Sequence, residues 1–264
     1  MITVLTTVRN GMPFVAEALD SVREQHLRDF RHCVVDDGST DGTPAYLKAA
    51  EYDQLDVVLS PALGRGRALN LGVAGSDAEF IAVLDADDLA SPLWLEEMLG
   101  IMQDNPNIAV LTCHAAFSRK DVVVAAQTPP QIKQILPETF LYRNPVTHSG
   151  SLIRRQALLD AGGYDESRKS LFDYELWVRL LTRGYQIWGV DKSYVYKRIH
   201  SRQHFENRNR LSYLRGCYHI RRQVSHELLK GKGAMIPLLA FIYGLLPEAF
   251  RHWRYNRFTS RNSS

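Results

Sequence analysis

Cysteine is scarce in this chain of 264 residues, and its three cysteines form no recognisable pair. Cys33, Cys113 and Cys217 are an odd number, lie far apart and include no C-x-x-C spacing. A secreted fold held together by disulfides is therefore not expected. A chain of this length buries roughly 70–75% of its unfolded surface, so it needs neither a disulfide nor a structural metal to fold. We expect reduced thiols and a cytoplasmic protein.

Long hydrophobic runs are also missing. Residues 1–5 read as the start of a strand and not as a charged segment before an apolar one, so we expect no cleaved signal peptide. The uncharged run at 233–247 has 15 residues and contains Pro237 and Pro247. It is short of the roughly 20 residues that span a bilayer. A composition of 45% hydrophobic and 23% charged residues, without internal repeats, excludes a disordered or repeat protein.

Positive and negative charges are unevenly distributed along the chain. Residues 1–196 hold 18 basic and 26 acidic residues, whereas residues 197–264 hold 14 basic and 3 acidic ones. A basic tail on an acidic body indicates a polyanionic partner, either nucleic acid or an anionic membrane surface. The alternative is a solvated basic helix face. Because no signature of a nucleic-acid-binding module accompanies the charge, we expect no nucleic acid partner.

Strand-like and helix-like segments alternate over the first 118 residues. The apolar, β-branched runs lie at 2–8, 30–36, 55–59, 79–85 and 108–117, and helical segments lie near 13–26, 43–51, 67–74 and 92–103. This alternation predicts an α/β fold with a Rossmann-like, mostly parallel sheet and helices on both faces. Further elements are expected at 121–127 (strand), 131–142 (helix), 149–153 (strand), 172–183 (helix) and 194–199 (strand). We expect one domain over 1–203 and a basic helical C-terminal extension over 204–264.

Two acidic clusters follow strands at the predicted sheet edge where α/β proteins bind ligands. Asp36 and Asp37 precede a glycine turn, for which the alternative is an Asx-type turn with Ser39 or Asp41 capping the next helix. The V-L-D-A-D-D run at 83–88 places three carboxylates within four residues, and these repel one another unless a cation offsets them. Oxygen ligands at this spacing suit Mg²⁺ or Mn²⁺; the alternative is a solvated acidic turn.

Several motifs occurring together resemble those of the family 2 glycosyltransferases with the GT-A fold, over roughly residues 1–200. The D-D-G-S-T-D-G run at 36–42 resembles the family's nucleoside-binding turn, and D-A-D at 85–87 resembles its DxD motif. G-Y-D at 163–165, followed by D-Y-E-L-W at 173–177, resembles its G-G-[FY]-[DR]…E-D-x-[DE]-L-W segment. The resemblance implies the GT-A fold and transfer of a sugar from a nucleoside diphosphate.

The resemblance assigns the donor nucleotide to the strand ends. Asp37 would bind the nucleobase, Asp36 would support the turn, and Asp87 would hold a metal that neutralises the leaving diphosphate. Asp85 would reach the ribose, or the metal through water. The G-R-G-R-A-L-N stretch at 64–70 is similar to a family segment near the nucleotide, but it has leucine where arginine is common. The expected nucleotide-binding residues are Thr6, Arg9, Asp36, Asp37, Arg67 and Asp85.

The acceptor hydroxyl needs a general base, and the resemblance implies Asp173 in an inverting, single-displacement reaction. The residue before it is Phe172, where the family has an acid; the alternative is that Asp173 only caps a helix. The Y-K-R-I-H-S segment implies His200 as a metal or diphosphate ligand. The residues expected to contact the donor or acceptor sugar are Asp88, His148, Asp165 and Glu166. The expected metal ligands are Asp85, Asp87 and His200, with Mn²⁺ or Mg²⁺ as the cofactor.

The first functional hypothesis is an inverting, metal-dependent glycosyltransferase that uses a nucleotide diphosphate sugar, with a UDP-sugar favoured. Its acceptor would be a saccharide or a lipid-linked sugar in cell-surface polysaccharide synthesis. The alternatives are a polyprenyl-phosphate sugar synthase and a catalytically silent nucleotide-sugar-binding subunit, which Phe172 keeps open. The C-terminal segment is predicted to hold the protein peripherally at an anionic membrane surface, on the cytosolic face of the inner membrane. The alternative is a helix that packs on the catalytic domain or forms a homodimer.

Overall fold

A computed structural model describes residues 1–122, 128–199 and 209–246. Within these residues an eight-stranded sheet has the spatial order β3-β2-β1-β4-β9-β6-β10-β8, and a three-stranded sheet has the order β5-β11-β7. The strands are β1 (Ile2–Val8), β2 (Phe30–Asp37), β3 (Leu55–Ser60), β4 (Phe80–Val83), β5 (Leu89–Ala90), β6 (Ile108–Thr112), β7 (Ala115–Ala116), β8 (Ile132–Gln134), β9 (Leu152–Arg154), β10 (Gln186–Val190) and β11 (Val195–Tyr196).

Parallel pairing dominates the large sheet. β1 pairs in parallel with β2 and β4, β2 with β3, and β10 with β6, whereas β8 and β9 are antiparallel to their neighbours. The described helices are α1 (Phe14–Arg23), α2 (Thr43–Ala49), α3 (Arg65–Ala74), α4 (Trp94–Asp104), α5 (Arg155–Asp160), α6 (Phe172–Thr182), α7 (Arg210–Gln223) and α8 (Ile236–Leu245). The prediction of an α/β fold with a mostly parallel sheet is confirmed.

Helices cover both faces of this sheet. The side chains of β1 alternate between the two faces and contact a helix on each. Val4 belongs to a core cluster with Trp94 and Met98 of α4. On the other face, Leu5 packs against Gly72 of α3, where an added Cβ would lie 2.2 Å from Leu5 Cδ1. A glycine at position 72 therefore lets α3 approach the sheet closely.

Several predicted elements differ from the structure. The helix predicted over 131–142 is wrong: this stretch contains β8 and a 3₁₀ turn at Pro137–Leu141. The strand predicted over 194–199 is limited to β11, in the smaller sheet. Of the strand predicted over 121–127, residues 123–127 lie outside the described residues, and Asp121 ends a 3₁₀ turn.

The chain divides into two compact units. Among the described residues, the first contains 1–122, 128–136 and 144–199, and the second contains 137–143 and 209–246. The second unit thus includes the 3₁₀ turn Pro137–Leu141 as well as α7 and α8, whereas the sequence-based boundary after residue 203 assigned that turn to the first domain. No helix in the described parts of either unit is long and apolar enough to cross a bilayer.

Candidate active site

The acidic clusters lie at one edge of the large sheet because the strands before them are parallel and in register. Val8 of β1 pairs with Asp36 of β2, and Leu5 of β1 pairs with Val83 of β4. The carboxyl ends of β1, β2 and β4 therefore meet at the same edge, where α/β sheets bind ligands.

Asp37 binds the loop that leads into α3. Its Oδ1 accepts hydrogen bonds from Leu63 N at 2.6 Å and from Gly64 N at 3.1 Å, and the residue is buried. Gly38 follows with φ of 71°, and a Cβ there would lie 2.6 Å from Ala62 N. Both residues thus fix the start of α3. In the structure the carboxylate of Asp37 is occupied by these two backbone N–H groups. The nucleobase contact predicted for Asp37 stays a prediction.

The neighbouring turn has side-chain-to-backbone hydrogen bonds of the Asx type, but neither Ser39 nor Asp41 caps α2, whose N-cap is Gly42 without a side-chain capping bond. Asp36 Oδ1 accepts from the backbone and hydroxyl of Ser39, and Asp41 Oδ1 accepts from Thr43 N at 2.9 Å. Thr6 is fully buried, with Oγ1 3.0 Å from Nε2 of a buried histidine in β2. Of the two β1-end residues predicted to bind nucleotide, only Arg9 therefore exposes its side chain.

Asp85, Asp87 and Asp88 form the acidic cluster, in which one carboxylate oxygen of each lies within 4.8 Å of the others. Asp88 Oδ1 accepts from Arg198 N at 3.3 Å, whereas its buried Oδ2 has no hydrogen-bond partner among the described residues. Burial, together with the charge of Asp85, raises the pKa of Asp88 to about 7. These residues fit a divalent cation, because the ion would satisfy the orphaned oxygen and offset the mutual repulsion.

Asp88, predicted to contact a sugar, has a fully buried side chain that lies within the acidic cluster beside Asp85 and Asp87. Its contact with a sugar stays a prediction.

Arg65, the first residue of α3, binds this cluster. One of its guanidinium nitrogens donates to Asp85 Oδ1, and its Cζ lies 5.1 Å from the centre of the Phe172 ring. The pKa of Arg65 is raised above its usual value, because the charges of Asp85, Asp173 and Asp87 outweigh the partial burial of its guanidinium. Arg65 thus connects the acidic cluster electrostatically with the predicted base.

Arg67, predicted to bind the nucleotide, points elsewhere. Its Nε donates to Glu166 at 2.8 Å, and Asn70 of the same helix donates to the other oxygen of Glu166 at 3.0 Å. Asp165 accepts from Ser167 N and from Arg168 Nε, both at 3.0 Å. Both acids predicted to contact a sugar therefore hold the 163–168 segment in place.

Asn70 also anchors the Gly163-Tyr164 motif. Its side chain donates to Tyr164 O at 2.9 Å and accepts from Tyr164 N at 2.7 Å. Gly163 has φ of 73°, and an added Cβ would lie 2.5 Å from Asn70 Oδ1. A glycine is required at position 163 for this close approach.

Asp173 is the second residue of α6 and does not cap it. The N-cap is Leu171, with φ of 59° and no side-chain capping bond, so the capping alternative is wrong. Asn144 Nδ2 donates to Asp173 Oδ2 at 3.0 Å. Its role as a base stays a prediction, now with Asn144 as a residue that orients the carboxylate.

His148 lies behind this site, not on its surface. It is 8% exposed, its Nε2 is 3.0 Å from Tyr164 Oη, and its ring packs at 5.6 Å from the Phe172 ring. Burial lowers the pKa of His148 to about 4, which keeps the imidazole neutral. The contact of His148 with a sugar stays a prediction. His200, the third predicted metal ligand, lies outside the described residues.

Sequence reasoning did not assign roles to Arg65, Asn70 or Asn144. Arg65 and Asn70 lie in the G-R-G-R-A-L-N stretch. That stretch predicted a segment near the nucleotide, but it did not predict the direction of each side chain. Asn144 lies 29 residues before Asp173 and carries no local signal of their contact.

Comparisons with known proteins show which family this chain is similar to. The family described as Glycosyl transferase family 2 matches residues 3–162. An uncharacterized glycosyltransferase of Methanocaldococcus jannaschii is 25% identical over 213 residues, 78% of this chain and 72% of that protein. One of Rickettsia typhi is 28% identical over 210 residues, 77% of this chain and 65% of that protein. The chain thus spans about two thirds of the length of such relatives.

Solved structures share the fold. S. aureus TarS 1–349 in complex with UDP-GlcNAc has a TM-score of 0.67 at 19% identity, over 92% of this chain and 71% of that one. The mannosyltransferase PcManGT from Pyrobaculum calidifontis, in complex with GDP-Man and Mn²⁺, has a TM-score of 0.62 at 20% identity, over 92% and 68%. The matched family and the shared architecture agree with the motifs at the sheet edge. The chain belongs to glycosyl transferase family 2 and has the GT-A fold.

Proposed function

We propose that the chain is an inverting, metal-dependent glycosyltransferase that moves a sugar from a nucleotide diphosphate sugar to a saccharide or lipid-linked acceptor. The observation that carries the proposal is the acidic cluster, in which a buried Asp88 oxygen lacks a partner beside Asp85 and Asp87. Carboxylate oxygens are the ligands that Mg²⁺ and Mn²⁺ prefer. A divalent ion bound there supplies positive charge for the departing diphosphate.

The chain's own residues would bind the donor and orient the reaction. The turn after β2 and the loop before α3 form one surface, because Asp37 joins them through Leu63 and Gly64. Asp173 would accept the proton of the acceptor hydroxyl, with Asn144 holding one of its carboxylate oxygens. In the proposed reaction the deprotonated hydroxyl displaces the diphosphate in a single step, and a single displacement inverts the anomeric carbon.

A uridine diphosphate sugar is the proposed donor. Support comes from the D-D-G-S-T-D-G turn and from TarS, a protein of the same fold solved with UDP-GlcNAc. Because PcManGT of the same fold was solved with GDP-Man, guanosine diphosphate is the competing ligand to test beside thymidine diphosphate. The proposed acceptor belongs to cell-surface polysaccharide synthesis.

Isothermal titration calorimetry tests the donor and the metal together. We expect UDP to bind more tightly than TDP or GDP, and about tenfold more tightly with Mn²⁺ than with EDTA, because the ion links the carboxylates to the phosphates. Uridine, which lacks phosphates, is the control ligand and should show no Mn²⁺ dependence. Equal UDP affinity with EDTA and Mn²⁺ would contradict the metal, and tighter binding of GDP or TDP would contradict uridine.

We also propose that the second unit attaches the enzyme to the cytosolic face of an anionic membrane. One face of α8 packs on α7: an added Cβ at Gly244 would lie 2.4 Å from Leu214 Cδ2. The opposite face carries Met235, Leu239 and Ile242, which are 62%, 59% and 50% exposed. Residues 205–264 hold 11 basic and 3 acidic residues. Exposed apolar side chains within a basic segment favour an anionic bilayer over a second, equally basic copy.

Vesicle co-sedimentation of the full chain tests this attachment. We expect binding to phosphatidylserine-containing vesicles, loss of binding at high salt, and about tenfold weaker binding of the Leu239→Ser/Ile242→Ser variant, because both insertion and charge are required. Leu136→Ser/Leu159→Ser, which removes two other exposed leucines, is the matched control and should bind as wild type. Two results would contradict the proposal. One is unchanged vesicle binding of the α8 variant. The other is a wild-type chain that binds no vesicles but forms a dimer, with the dimer lost in the α8 variant.

A further inference from the structure

The position of Arg65 is set by the backbone before it. Leu63 N and Gly64 N donate to Asp37, and Gly64 has φ of 94°, a conformation that glycine adopts without strain. The helix α3 then begins at Arg65, whose guanidinium reaches Asp85. An arginine with a fixed backbone is thus directed at the acidic cluster.

A divalent ion and this guanidinium compete for the same carboxylate. Asp85 is one of the three residues whose oxygens converge, and Arg65 already donates to its Oδ1. A metal ligand has to lie close to the ion, at about 2.0–2.1 Å for Mg²⁺. A bound ion would also repel the positive guanidinium, so the two cations disfavour each other at Asp85.

The ring of Phe172 affects where the guanidinium can go after leaving Asp85. Arg65 Cζ lies 5.1 Å from the ring centre, within the range of a cation–π contact. A neutral ring holds the guanidinium near the site without accepting its hydrogen bonds, whereas an acid at this position would bind them. Because Phe172 accepts no hydrogen bond, the guanidinium nitrogens of Arg65 can bind an anionic ligand once Arg65 has left Asp85.

We propose that Arg65 is an exchangeable counter-cation of the acidic cluster: it neutralises Asp85 when no metal is bound, and binds the donor's diphosphate when a metal replaces it. This inference rests on the proposed function, because it requires a diphosphate ligand and a divalent ion. Guanidinium binds phosphate oxygens in a bidentate manner, which gives the displaced side chain a new anionic partner. Arg65 thereby exchanges its ion pair with Asp85 for an ion pair with the diphosphate.

Opposite effects on two affinities test the exchange. Mn²⁺ binding without nucleotide is measured by electron paramagnetic resonance, and UDP binding in the presence of Mn²⁺ by calorimetry. We expect Arg65→Ala to bind Mn²⁺ about three- to tenfold more tightly, because a competing cation is gone, and UDP about tenfold more weakly. Arg65→Lys keeps the charge without the fork, so it should retain wild-type Mn²⁺ affinity and recover UDP affinity only in part.

Arg31→Ala is the matched control. Arg31 pairs with Asp56 and is 46% exposed, against 45% for Arg65, but it lies at the amino end of β2, away from the cluster. The control removes the same charge and one Arg–Asp pair, and should change neither affinity. If Arg65→Ala leaves both affinities unchanged or weakens both, the exchange is wrong while the proposed function stands. If the wild-type chain binds neither Mn²⁺ nor UDP, the proposed function fails as well.

Discussion

Replacing Asp173 with asparagine is expected to lower kcat for sugar transfer by about 10²- to 10⁴-fold, the usual contribution of a general base. UDP affinity should stay unchanged, because the base acts on the acceptor hydroxyl and not on the nucleotide. The fold should also be preserved: an amide oxygen at position 173 can still accept the hydrogen bond that Asn144 donates at 3.0 Å. Steady-state transfer from a radiolabelled UDP-sugar, calorimetry with UDP and a thermal melt measure the three quantities.

The control for Asp173→Asn is Asp160→Asn, which removes a carboxylate from α5, outside the site. It should transfer sugar at the wild-type rate. Wild-type turnover by Asp173→Asn, with an unchanged Tm, would mean that the base lies elsewhere. The same assay separates the alternatives: transfer to a polyprenyl phosphate identifies a lipid-phosphate sugar synthase. Binding of UDP by a wild-type chain that transfers to no acceptor identifies a silent subunit.

The strands that carry the site are predictable because each is a run of apolar, β-branched residues with turn residues on either side. The predicted runs 2–8, 30–36 and 55–59 agree within one residue with β1, β2 and β3. Strand–helix alternation predicts parallel pairing, and parallel pairing brings the following carboxylates to one edge. The place of the candidate site is therefore contained in local sequence patterns.

The direction of individual side chains is not contained in those patterns. Arg65 and Arg67 lie two positions apart on α3, which separates them by about 200° around the helix axis. Which of them faces the acidic cluster depends on how Leu69 and Val73 bury α3 against the sheet. Sequence reasoning assigned Arg67 to the nucleotide, whereas Arg65 contacts Asp85 and Arg67 contacts Glu166.

Partners distant in sequence explain the other differences. The carboxylate of Asp37 is bound by backbone donors 26 and 27 residues later, in a loop that no local pattern connects with it. The stretch predicted as a helix over 131–142 forms β8 because Gln134 pairs with Trp188 of β10. Tertiary pairing outweighs helix propensity here, as it commonly does for short segments at a sheet edge.

Replacing Asp87 with alanine is expected to remove the effect of Mn²⁺ on UDP binding and to lower transfer by about 10²- to 10³-fold. Asp87 contributes one of the three converging carboxylate oxygens, and its backbone carbonyl accepts from Arg198 Nε at 3.0 Å. The substitution leaves that backbone bond in place, so the turn after β4 should keep its position. With two acids left in the cluster, the net negative charge that attracts a divalent ion falls by one, and the ion loses a ligand.

Calorimetry with UDP in EDTA and in Mn²⁺ measures this loss directly. In EDTA Asp87→Ala should bind UDP at least as tightly as the wild type, since without the ion the carboxylate can only repel the diphosphate. In Mn²⁺ only the wild type should gain affinity. Asp104→Ala, which removes an exposed acid from the end of α4, should behave as wild type under both conditions. If Asp87→Ala keeps the full gain from Mn²⁺, the ion is held by other residues and Asp87 is not a metal ligand.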